Sequence, residues 1–469
     1  MFVPHVIAGR ETESADGARF ASVDPWTRRA WASAALAGPA DVDRAVRAAR
    51  QEADHGHWPR LGFAERGRLL HRLADLIVRD GEELATADTS DMGRPRHEVL
   101  TRDVPRAAAN FRFFADHARL CPAEVFPADG GHLVHTRYPP AGVVAAVAPW
   151  NFPLMLGSWK IAPALAWGNT VVLKPAEQSP ASATALARLA LEAGFPPGVL
   201  NVVHGPGPNA AGEWLVSHPG VDRVTFTGES ATGRAVATAA SANLTPVSME
   251  LGGKGASVVF ADADLAVAAD HAAHAAFGNA GQMCLAGTRI LVQRPVHDEF
   301  HRLLADRAAA MPVGDPRDPA TRVGPLSSAE HHRKVTAYLA MAGHPLPATD
   351  DWTVPPALLT GVPPASPLWR EEIFGPVAVI APFDTEQEAV RLANDTSYGL
   401  NAMLFTTDLN RAHRVAAALR GGTVWVNCFF VRDLRAPFGG AGDSGIGREG
   451  GVFSRDFFTE PRTVTLAID

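Results

Sequence analysis

The chain has 469 residues and a formal net charge of −7; 46% of its residues are hydrophobic and 20% are charged. This composition is typical of a globular protein too long for a single core, and the negative charge argues against nucleic acid or an anionic membrane as the main partner. The apolar runs are much shorter than the roughly 20 residues that span a bilayer, so we expect no membrane association.

Cysteine and histidine usage limits the compartment and the chemistry. The three cysteines are too few for a disulfide framework, and the 18 histidines are scattered without metal-ligand spacing. Residues 1–17 lack the basic segment and apolar core of a secretory signal. We therefore expect a cytoplasmic protein with no metal site.

The first predicted elements are helices, and an alternating series follows them. Residues 41–53 place apolar side chains at helical spacing behind Asp41, and helical patterns continue to about residue 119. From residue 143, short β-branched runs (GVVAAVAP, TVVLKP, VLNVVHG and VDRVTFTG) alternate with helical patterns at about 153–167, 180–193, 208–217 and 230–240. This alternation predicts a parallel sheet with right-handed crossovers, whose ligands lie at the carboxyl ends of its strands.

A second alternating series begins at residue 255. It contains the strand-like runs GASVVF, RILVQ, GPVAVIAPF, NAMLFT and GTVWVN, with a helical pattern over 264–277. We expect a second α/β domain whose first helix ends at the turn that holds Cys284. Residues 122–140 and 462–469 are strand-like and lie outside both series; exposed strand edges of this kind often pair with another subunit.

Cys284 lies in the turn GQMCLAGTRI, among small and polar residues after the predicted helix. A thiol at such a junction can be accessible and close to backbone N–H donors, which favour the thiolate and a nucleophilic role. For this stretch taken alone, a buried cysteine acting as a small hydrophobic residue is the more frequent alternative.

Glu250 and Asn151 are the other candidates for chemistry. Glu250 stands among apolar neighbours in SMELGGKG, where its pKa would be raised and it could act as a general base; a strand-end carboxylate bonded to backbone amides is the alternative. Asn151 lies between Pro149 and Pro153, which would hold its amide rigidly as an oxyanion donor; a turn-forming asparagine is the alternative.

Glycine-containing turns after strands could approach a cofactor. FTGESATG, with Gly228 and Gly233, leads from a strand into a helix, and GPGP, with Gly207, is a weaker pattern. Lys174 and Glu177 follow another strand and could bond ribose hydroxyls, although exposed loop charges are common.

Taken together, the motifs PWNFP, KPAEQSP, FTGES, MELGGK, GQMC, EEIFGP and PFGGAGDSGIGRE resemble the aldehyde dehydrogenase superfamily in order and spacing over essentially the whole chain. The resemblance implies an α/β fold of two doubly wound domains with a small β oligomerisation element. It implies an NAD-binding domain over 1–121 and 141–252 and a catalytic domain over 253–452. The oligomerisation element would comprise 122–140 and 453–469, in a homodimer or homotetramer.

The resemblance also implies catalytic roles. The Cys284 thiolate would attack the aldehyde carbon, and the oxyanion of the resulting thiohemiacetal would meet the Asn151 amide and the Cys284 backbone N–H. After hydride transfer, Glu250 would activate water to hydrolyse the thioester. A carboxylate at position 250 favours hydrolysis over transfer of the acyl group to coenzyme A.

For the cofactor, the resemblance assigns the adenosine ribose to Lys174 and Glu177, and a carboxylate at 177 favours NAD over NADP. Glu372 and Phe374 would hold the nicotinamide ribose and ring. Trp150 and Gly228 would contact the pyrophosphate. Gly207 and Gly233 would also belong to the cofactor-binding residues. Many relatives have a serine where this chain has Glu229, and we expect that carboxylate to point away from the pyrophosphate.

Two stretches, RDVPRAAANFRFFAD and NCFFVRDLRAPFGG, are similar to the branch that oxidises 2-hydroxymuconic, 2-aminomuconic and 5-carboxymethyl-2-hydroxymuconic semialdehydes. By this resemblance Arg106 and Arg432 would hold a substrate carboxylate, and Phe152 and Trp159 would also contact the substrate. The alternative is that both arginines form internal ion pairs, for example with Asp103 or Asp433.

The sequence GQMCLAGTRI around Cys284 differs from the sequence typical of that branch, so the resemblance does not fix which aldehyde is the substrate. The hypotheses are a muconate-type semialdehyde, an unrelated aliphatic or aromatic aldehyde, or a non-catalytic binding homologue.

Overall fold

The structure is a computed structural model and describes residues 1–345 and 351–468. The first domain is built on an eight-stranded sheet, the first sheet, whose five central strands are parallel. Its strands in spatial order are Gly445–Ile446, Val247–Glu250, Arg223–Thr227, Val143–Val147, Thr170–Lys174, Leu200–Val202, His5–Ile7 and Arg10–Thr12.

The parallel part of the first sheet starts in its middle, at Val143–Val147. The chain then adds two strands on one side and two on the other, which creates a topological switch point next to Arg223–Thr227. Four of these strands are buried at every residue, which explains their mostly apolar sequence. The predicted parallel sheet is therefore confirmed.

Helices cover both faces of the first sheet. They are Pro39–His55, Phe63–Arg79, Gly81–Met92, Val104–Leu120, Pro153–Ala166, Ala181–Ala193, Ala211–Val216 and Ser230–Ser241, with shorter turns at Trp58–Arg60, Arg96–Glu98 and Val99–Asp103. On one face, fully buried Phe111 and Phe114 pack in a core that also contains Trp159. Burying such aromatic side chains contributes about 2–3 kcal/mol each, so this core fixes the helix that carries Trp159.

The second domain has a six-stranded sheet, the second sheet, in which all strands are parallel. Its strands in spatial order are Ala357–Leu359, Val377–Phe383, Arg289–Gln293, Ala256–Val259, Asn401–Phe405 and Thr423–Val426. Its helices are Leu265–Phe277, His297–Ala309, Ala329–Met341, Pro367–Arg370, Glu386–Ala393 and Leu409–Ala418, with 3₁₀ turns at Gly278–Gly281 and Arg294–Val296. The predicted second α/β domain is confirmed, and its edge strand Ala357–Leu359 was not predicted.

A three-stranded antiparallel sheet, the third sheet, consists of Val125–Phe126, His132–Arg137 and Arg462–Ala467. Residues 453–458, which we grouped with this element, instead lie in the helix Gly451–Phe458, because Phe458 is buried in the core of the first domain. The division of the chain into domains otherwise stays a prediction.

Short strands near the N-terminus were missed by the sequence analysis. They are Phe2–Val3, Arg29–Ala35 and Arg19–Asp24, which form a separate three-stranded sheet. A further pair that was missed lies farther along the chain, where Tyr398–Gly399 pairs with Ala441–Gly442.

The described helices include none with the length and apolar character needed to cross a membrane.

Candidate active site

Cys284 follows the helix Leu265–Phe277 and the turn Gly278–Gly281 of the second domain. Its thiol is partly accessible, but the surrounding protein raises the pKa of Cys284 to about 12, first through burial and then through the negative charges of Glu372 and Glu250. A backbone N–H acts in the opposite direction, as we expected, but burial outweighs it. The resting thiol is therefore protonated, and a nucleophilic role would require a base to remove its proton.

Asn151 lies just after the strand Val143–Val147, at the carboxyl edge of the first sheet. Its side chain is 2% exposed, and its Nδ2 donates a hydrogen bond to the carbonyl oxygen of Gln282 at 3.0 Å. Since Gln282 precedes Cys284 by two residues, this bond joins the asparagine of one domain to the cysteine turn of the other. An amide nitrogen has two N–H groups, so one remains for a ligand.

Glu250 ends the strand Val247–Glu250, opposite Thr227 in the neighbouring strand. Both carboxylate oxygens are buried and have no hydrogen-bond partner within the described part of the chain. Burial and the nearby charge of Glu449 raise its pKa well above the usual range, while Lys160 and Arg432 act against this. A raised pKa makes this group a stronger base than an ordinary carboxylate, which suits general-base chemistry.

A buried ion pair next to Glu250 was missed by the sequence analysis. Lys160 Nζ donates to Glu449 Oε1 at 2.8 Å and to Thr225 Oγ1 at 3.0 Å, and the lysine side chain is fully buried. The sequence did contain an indication, because Lys160 is the one charged residue in the apolar stretch LGSWKIAPALAW. The two charges of the pair act on Glu250 in opposite directions, since Glu449 raises its pKa and Lys160 lowers it.

Gly228 and Gly233 lie in the turn and first helical residues after the strand Arg223–Thr227, next to the switch point, and both are packed too tightly for a side chain. A Cβ at Gly228 would lie 2.5 Å from the Phe226 ring, and one at Gly233 would lie 2.6 Å from Leu251. The Gly228 N–H donates to the Glu250 carbonyl oxygen at 3.1 Å, so this turn also anchors Glu250.

Glu229 precedes the helix Ser230–Ser241 and pairs with Lys334 Nζ at 3.1 Å. Lys334 lies in the helix Ala329–Met341 of the second domain. Position 229 holds a serine in many relatives. Here the charge of Lys334 compensates the negative charge of Glu229.

Lys174 and Glu177 adjoin the carboxyl end of another strand of the first sheet. Lys174 is 3% exposed, and its Nζ lies 3.4 Å from Glu177 Oε2, whose side chain is partly exposed. Burial lowers the pKa of Lys174. A Cβ at Gly207 would meet no atom within 4 Å, so the structure gives no steric reason for glycine there.

Glu372 and Phe374 lie on a loop of the second domain that faces this edge. Glu372 Oε1 accepts a hydrogen bond from the Gly253 N–H at 3.0 Å, and burial raises the pKa of Glu372 to about 7. Phe374 adopts the left-handed conformation (φ 60°), and its ring meets the Trp150 ring edge-on at 5.3 Å. His331, not predicted, bonds the Phe374 carbonyl oxygen at 2.7 Å and packs edge-on against Trp150.

Arg106 and Arg432 are the two predicted carboxylate ligands. Arg432 stacks over Phe438 at 3.7 Å, and its Nη2 is buried without a hydrogen-bond partner in the described chain. Burial and the charge of Arg106 lower the pKa of Arg432 to about 10. Arg106 is half-buried and forms no hydrogen bond or ion pair with the described residues, and burial lowers its pKa.

The alternative of internal ion pairs is wrong for these arginines. Arg94 Nη2 donates to Asp103 Oδ1 at 3.1 Å, and Arg435 Nη2 lies 2.6 Å from Asp433 Oδ2. Both aspartates are therefore already paired with other arginines.

Phe152 and Trp159 take different positions. Phe152 is 6% exposed and is covered by the Arg94 guanidinium, which lies 4.5 Å from its ring centroid. Trp159 receives the Arg432 guanidinium on its ring at 4.6 Å and donates its indole N–H to Glu449 Oε2. Trp159 thus joins the candidate substrate arginine to the ion pair beside Glu250.

Comparison with known proteins identifies the class of this site. Residues 12–464 match the sequence model of the Aldehyde dehydrogenase family. The chain belongs to the aldehyde dehydrogenase family. The aldehyde dehydrogenase described here oxidises its substrate with NAD, and its fold, two α/β domains with parallel sheets, is the fold of the family.

Individual relatives agree with this assignment. The chain is 43% identical to 2-hydroxymuconic semialdehyde dehydrogenase of Pseudomonas sp. (strain CF600), over 99% of each chain, and 44% identical to 2-aminomuconic 6-semialdehyde dehydrogenase of Pseudomonas sp., over 91% of each. The structure of a mutant of P. syringae indole-3-acetaldehyde dehydrogenase AldA in complex with NAD+ and IAA superimposes with a TM-score of 0.96, at 40% identity over 99% of this chain and 96% of that one.

The residues described above fit NAD. Glu177 presents a partly exposed carboxylate beside buried Lys174, and Glu372 presents a second carboxylate. At Gly228 an added side chain would collide with the Phe226 ring, so the turn keeps a bare backbone. Two carboxylates separated along the carboxyl edge of the sheets suit the two ribose diols of a dinucleotide.

Proposed function

We propose that this enzyme oxidises a small semialdehyde that carries a carboxylate, of the muconate type, to the acid. The observation that carries the proposal is Arg432 Nη2, a buried guanidinium nitrogen that has no partner among the described residues and lies near Arg106, which is likewise unpaired there. Two neighbouring unpaired guanidinium groups repel one another and are costly to desolvate, unless an anion lies between them. The names of the two Pseudomonas relatives agree with a substrate of this kind.

In the proposed reaction, Cys284 Sγ passes its proton to the Glu250 carboxylate and attacks the aldehyde carbon, and Glu250 releases this proton to water before the thioester is hydrolysed. The oxyanion of the thiohemiacetal accepts the second N–H of Asn151 Nδ2 and the backbone N–H of Cys284. NAD, when bound, supplies the hydride acceptor, and Cys284 is left as a thioester. In this reaction Asn151 donates a hydrogen bond to the oxyanion, and Cys284 is the nucleophile.

We propose Glu250 as the base that activates water for hydrolysis of the thioester. Its unpartnered oxygens are free to bond a water molecule, and its raised pKa lets it keep the proton it removes. The proton then returns to the Cys284 sulfur as the thioester bond breaks, which restores the thiol.

The substrate proposal is tested with Arg432→Ala, measured as kcat/KM for a muconate-type semialdehyde, for hexanal and for benzaldehyde. Two charge-assisted hydrogen bonds of about 1.5–3 kcal/mol each are lost, so we expect the preference for the semialdehyde to fall by about 100-fold or more. Arg435→Ala is the matched control, since Arg435 is exposed and paired with Asp433. An unchanged preference in Arg432→Ala would favour a plain aliphatic or aromatic aldehyde.

We also propose a cytoplasmic homodimer or homotetramer assembled through the third sheet. The support is a row of exposed apolar side chains on and beside that sheet, namely Val125, Phe126, Leu466 and Ile468, together with the unpaired strand edges. The three cysteines are free, which suits a reducing compartment. The molar mass in solution, measured by light scattering, tests the assembly; a monomer would contradict it.

A further inference from the structure

The turn before the nucleophile has an unusual backbone. Asn279, Ala280 and Gly281 are consecutive left-handed residues, with φ values of 52°, 53° and 69°. Left-handed backbone is uncommon for residues other than glycine, and asparagine tolerates it better than most. A Cβ at Gly281 would lie 2.1 Å from the Gly375 carbonyl oxygen, so the turn is pressed against the loop that carries Phe374.

The side chain of Asn279 links the two loops of the site. It is 2% exposed, and its Nδ2 donates to the carbonyl oxygen of Asn151 at 3.1 Å and to that of Gln282 at 3.3 Å. The same Gln282 oxygen accepts the bond from Asn151 Nδ2. The Asn279 side-chain amide therefore fixes the backbone of Asn151. It also fixes the Gln282 carbonyl oxygen, which holds the Asn151 side chain.

The Gln282 side chain closes this network from the other side. Its Nε2 donates to the Asn279 carbonyl oxygen at 3.1 Å, and its Oε1 accepts from the Ser327 N–H at 3.0 Å. The left-handed turn is thus held by side chains of its own residues.

The arrangement determines which way the Asn151 amide faces. If the amide were rotated by half a turn, Asn151 Oδ1 would oppose the Gln282 carbonyl oxygen, and two acceptors would be in contact. In the observed orientation Oδ1 is buried and has no partner in the part of the chain that the structure describes, while the second N–H is left for a ligand. The fixed Gln282 carbonyl therefore selects the orientation that presents a donor.

We propose that Asn279 is a positioning residue, which orients the oxyanion-binding amide of Asn151 by holding the Gln282 carbonyl oxygen and the Asn151 backbone. The inference rests on the proposed function, since it requires that Asn151 binds the oxyanion. Asn279 acts through Asn151 and makes no contact with substrate in this role.

The test is a double-mutant cycle between Asn279→Gly and Asn151→Ala. Glycine keeps the left-handed backbone accessible and removes only the amide. Losing one oxyanion donor costs about 100- to 1000-fold in kcat, so we expect Asn279→Gly to lower kcat by about 10-fold or more in the native background. In the Asn151→Ala background the same change should cost less than about 2-fold, because its target is already absent.

Controls separate positioning from loss of structure. Ala280→Gly alters the adjacent left-handed residue without removing a side-chain hydrogen bond, and we expect less than about 3-fold change in kcat. Alkylation of Cys284 by iodoacetamide forms no oxyanion, so its rate should be the same in Asn279→Gly as in the native enzyme. Asn279→Ala, which keeps more of the side chain, serves if the glycine variant folds poorly.

The outcomes distinguish the two proposals. An equal loss from Asn279→Gly in both backgrounds, or no loss in the native one, overturns the positioning role. If Asn151→Ala alone leaves kcat unchanged, the oxyanion assignment fails, and the inference fails with it. A slower alkylation of Cys284 in Asn279→Gly would show a disturbed nucleophile turn and would also overturn the proposal.

Discussion

At the scale of single residues, the protonation of Cys284 depends on charges that come from both domains. Glu372 and Glu250 raise its pKa beyond the effect of burial, and Arg432 lowers it. Because Arg432 also lowers the pKa of Glu250, the arginine proposed to bind substrate holds nucleophile and base nearer to their charged forms. Binding of a substrate carboxylate would partly cancel this effect.

The Glu372→Gln variant tests the influence of this carboxylate on the thiol. Glu372 is the first charged group that raises the pKa of Cys284, so its neutralisation should lower that pKa, and the thiol should react with iodoacetamide at lower pH. The measurement is the alkylation rate against pH in the enzyme without cofactor. Glu371→Gln is the matched control, because Glu371 is exposed and bonded to the Tyr338 hydroxyl; an equal shift in both variants would contradict the assignment.

At the scale of elements, the helix Pro153–Ala166 supports three parts of the site. It starts just after Asn151, carries Trp159 against Arg432, and carries Lys160 against Glu449. It is buried along nearly its whole length, so its polar side chains must find partners inside the protein. This requirement explains why a lysine can stand in an otherwise apolar helix.

Lys160→Met is expected to destabilise the enzyme by about 3–5 kcal/mol, because it leaves the buried Glu449 carboxylate without its cation. The measurement is the midpoint of denaturant unfolding. The double variant Lys160→Met with Glu449→Gln should recover part of the loss, since neither partner of this pair is then left as an uncompensated charge. Arg435→Ala breaks an exposed pair and should cost at most about 1 kcal/mol. A lysine variant as stable as this control would show that the pair is not energetically important.

At the scale of the whole molecule, two domains supply different parts of one site. Asn151 and Glu250 stand on the first sheet, Cys284 and Glu372 on the second domain, and the strand Gly445–Ile446 returns from the second domain to pair with Val247–Glu250. This return holds the general-base candidate between the domains. The N-terminus is tied to the same sheet by the strand His5–Ile7, which pairs with Leu200–Val202.

Two buried histidines at this N-terminal junction predict sensitivity to acid. Burial lowers the pKa of His5 to about 4 and that of His204 to about 3. In the unfolded chain both protonate near pH 6.5, so between about pH 6.5 and 4 the unfolded state binds more protons and folding stability falls as the pH falls. At pH 5 each histidine would cost about 2 kcal/mol.

The His204→Gln variant measures this effect. Between pH 7 and pH 5, its free energy of unfolding should fall by about 2 kcal/mol less than that of the native enzyme, because one of the two titrating groups has been removed. Unfolding midpoints at the two pH values provide the comparison, and His132→Gln, at an exposed site, is the control. Equal pH dependence of all three proteins would contradict a role for the buried histidines.

Much of this molecule follows from local sequence. Runs such as TVVLKP and RILVQ predicted strands because both faces of a parallel sheet are buried, and periodic spacing predicted the helices that cover them. The short strands Phe2–Val3 and Ala357–Leu359 could not be predicted, because two or three residues carry no usable period. The motifs indicated the family and its cofactor.

The sequence by itself determined the class of fold, the family and the residue types of the site, since these are written in alternation and in ordered motifs. Only the tertiary structure decided which charges are paired. Asp103 and Asp433 are taken by Arg94 and Arg435, whereas Lys160 and Glu449, 289 residues apart, find each other in the interior. The physical reason is that pairing and burial depend on distances in space, and these raise the pKa of Glu250 and leave Arg432 Nη2 without a partner among the described residues.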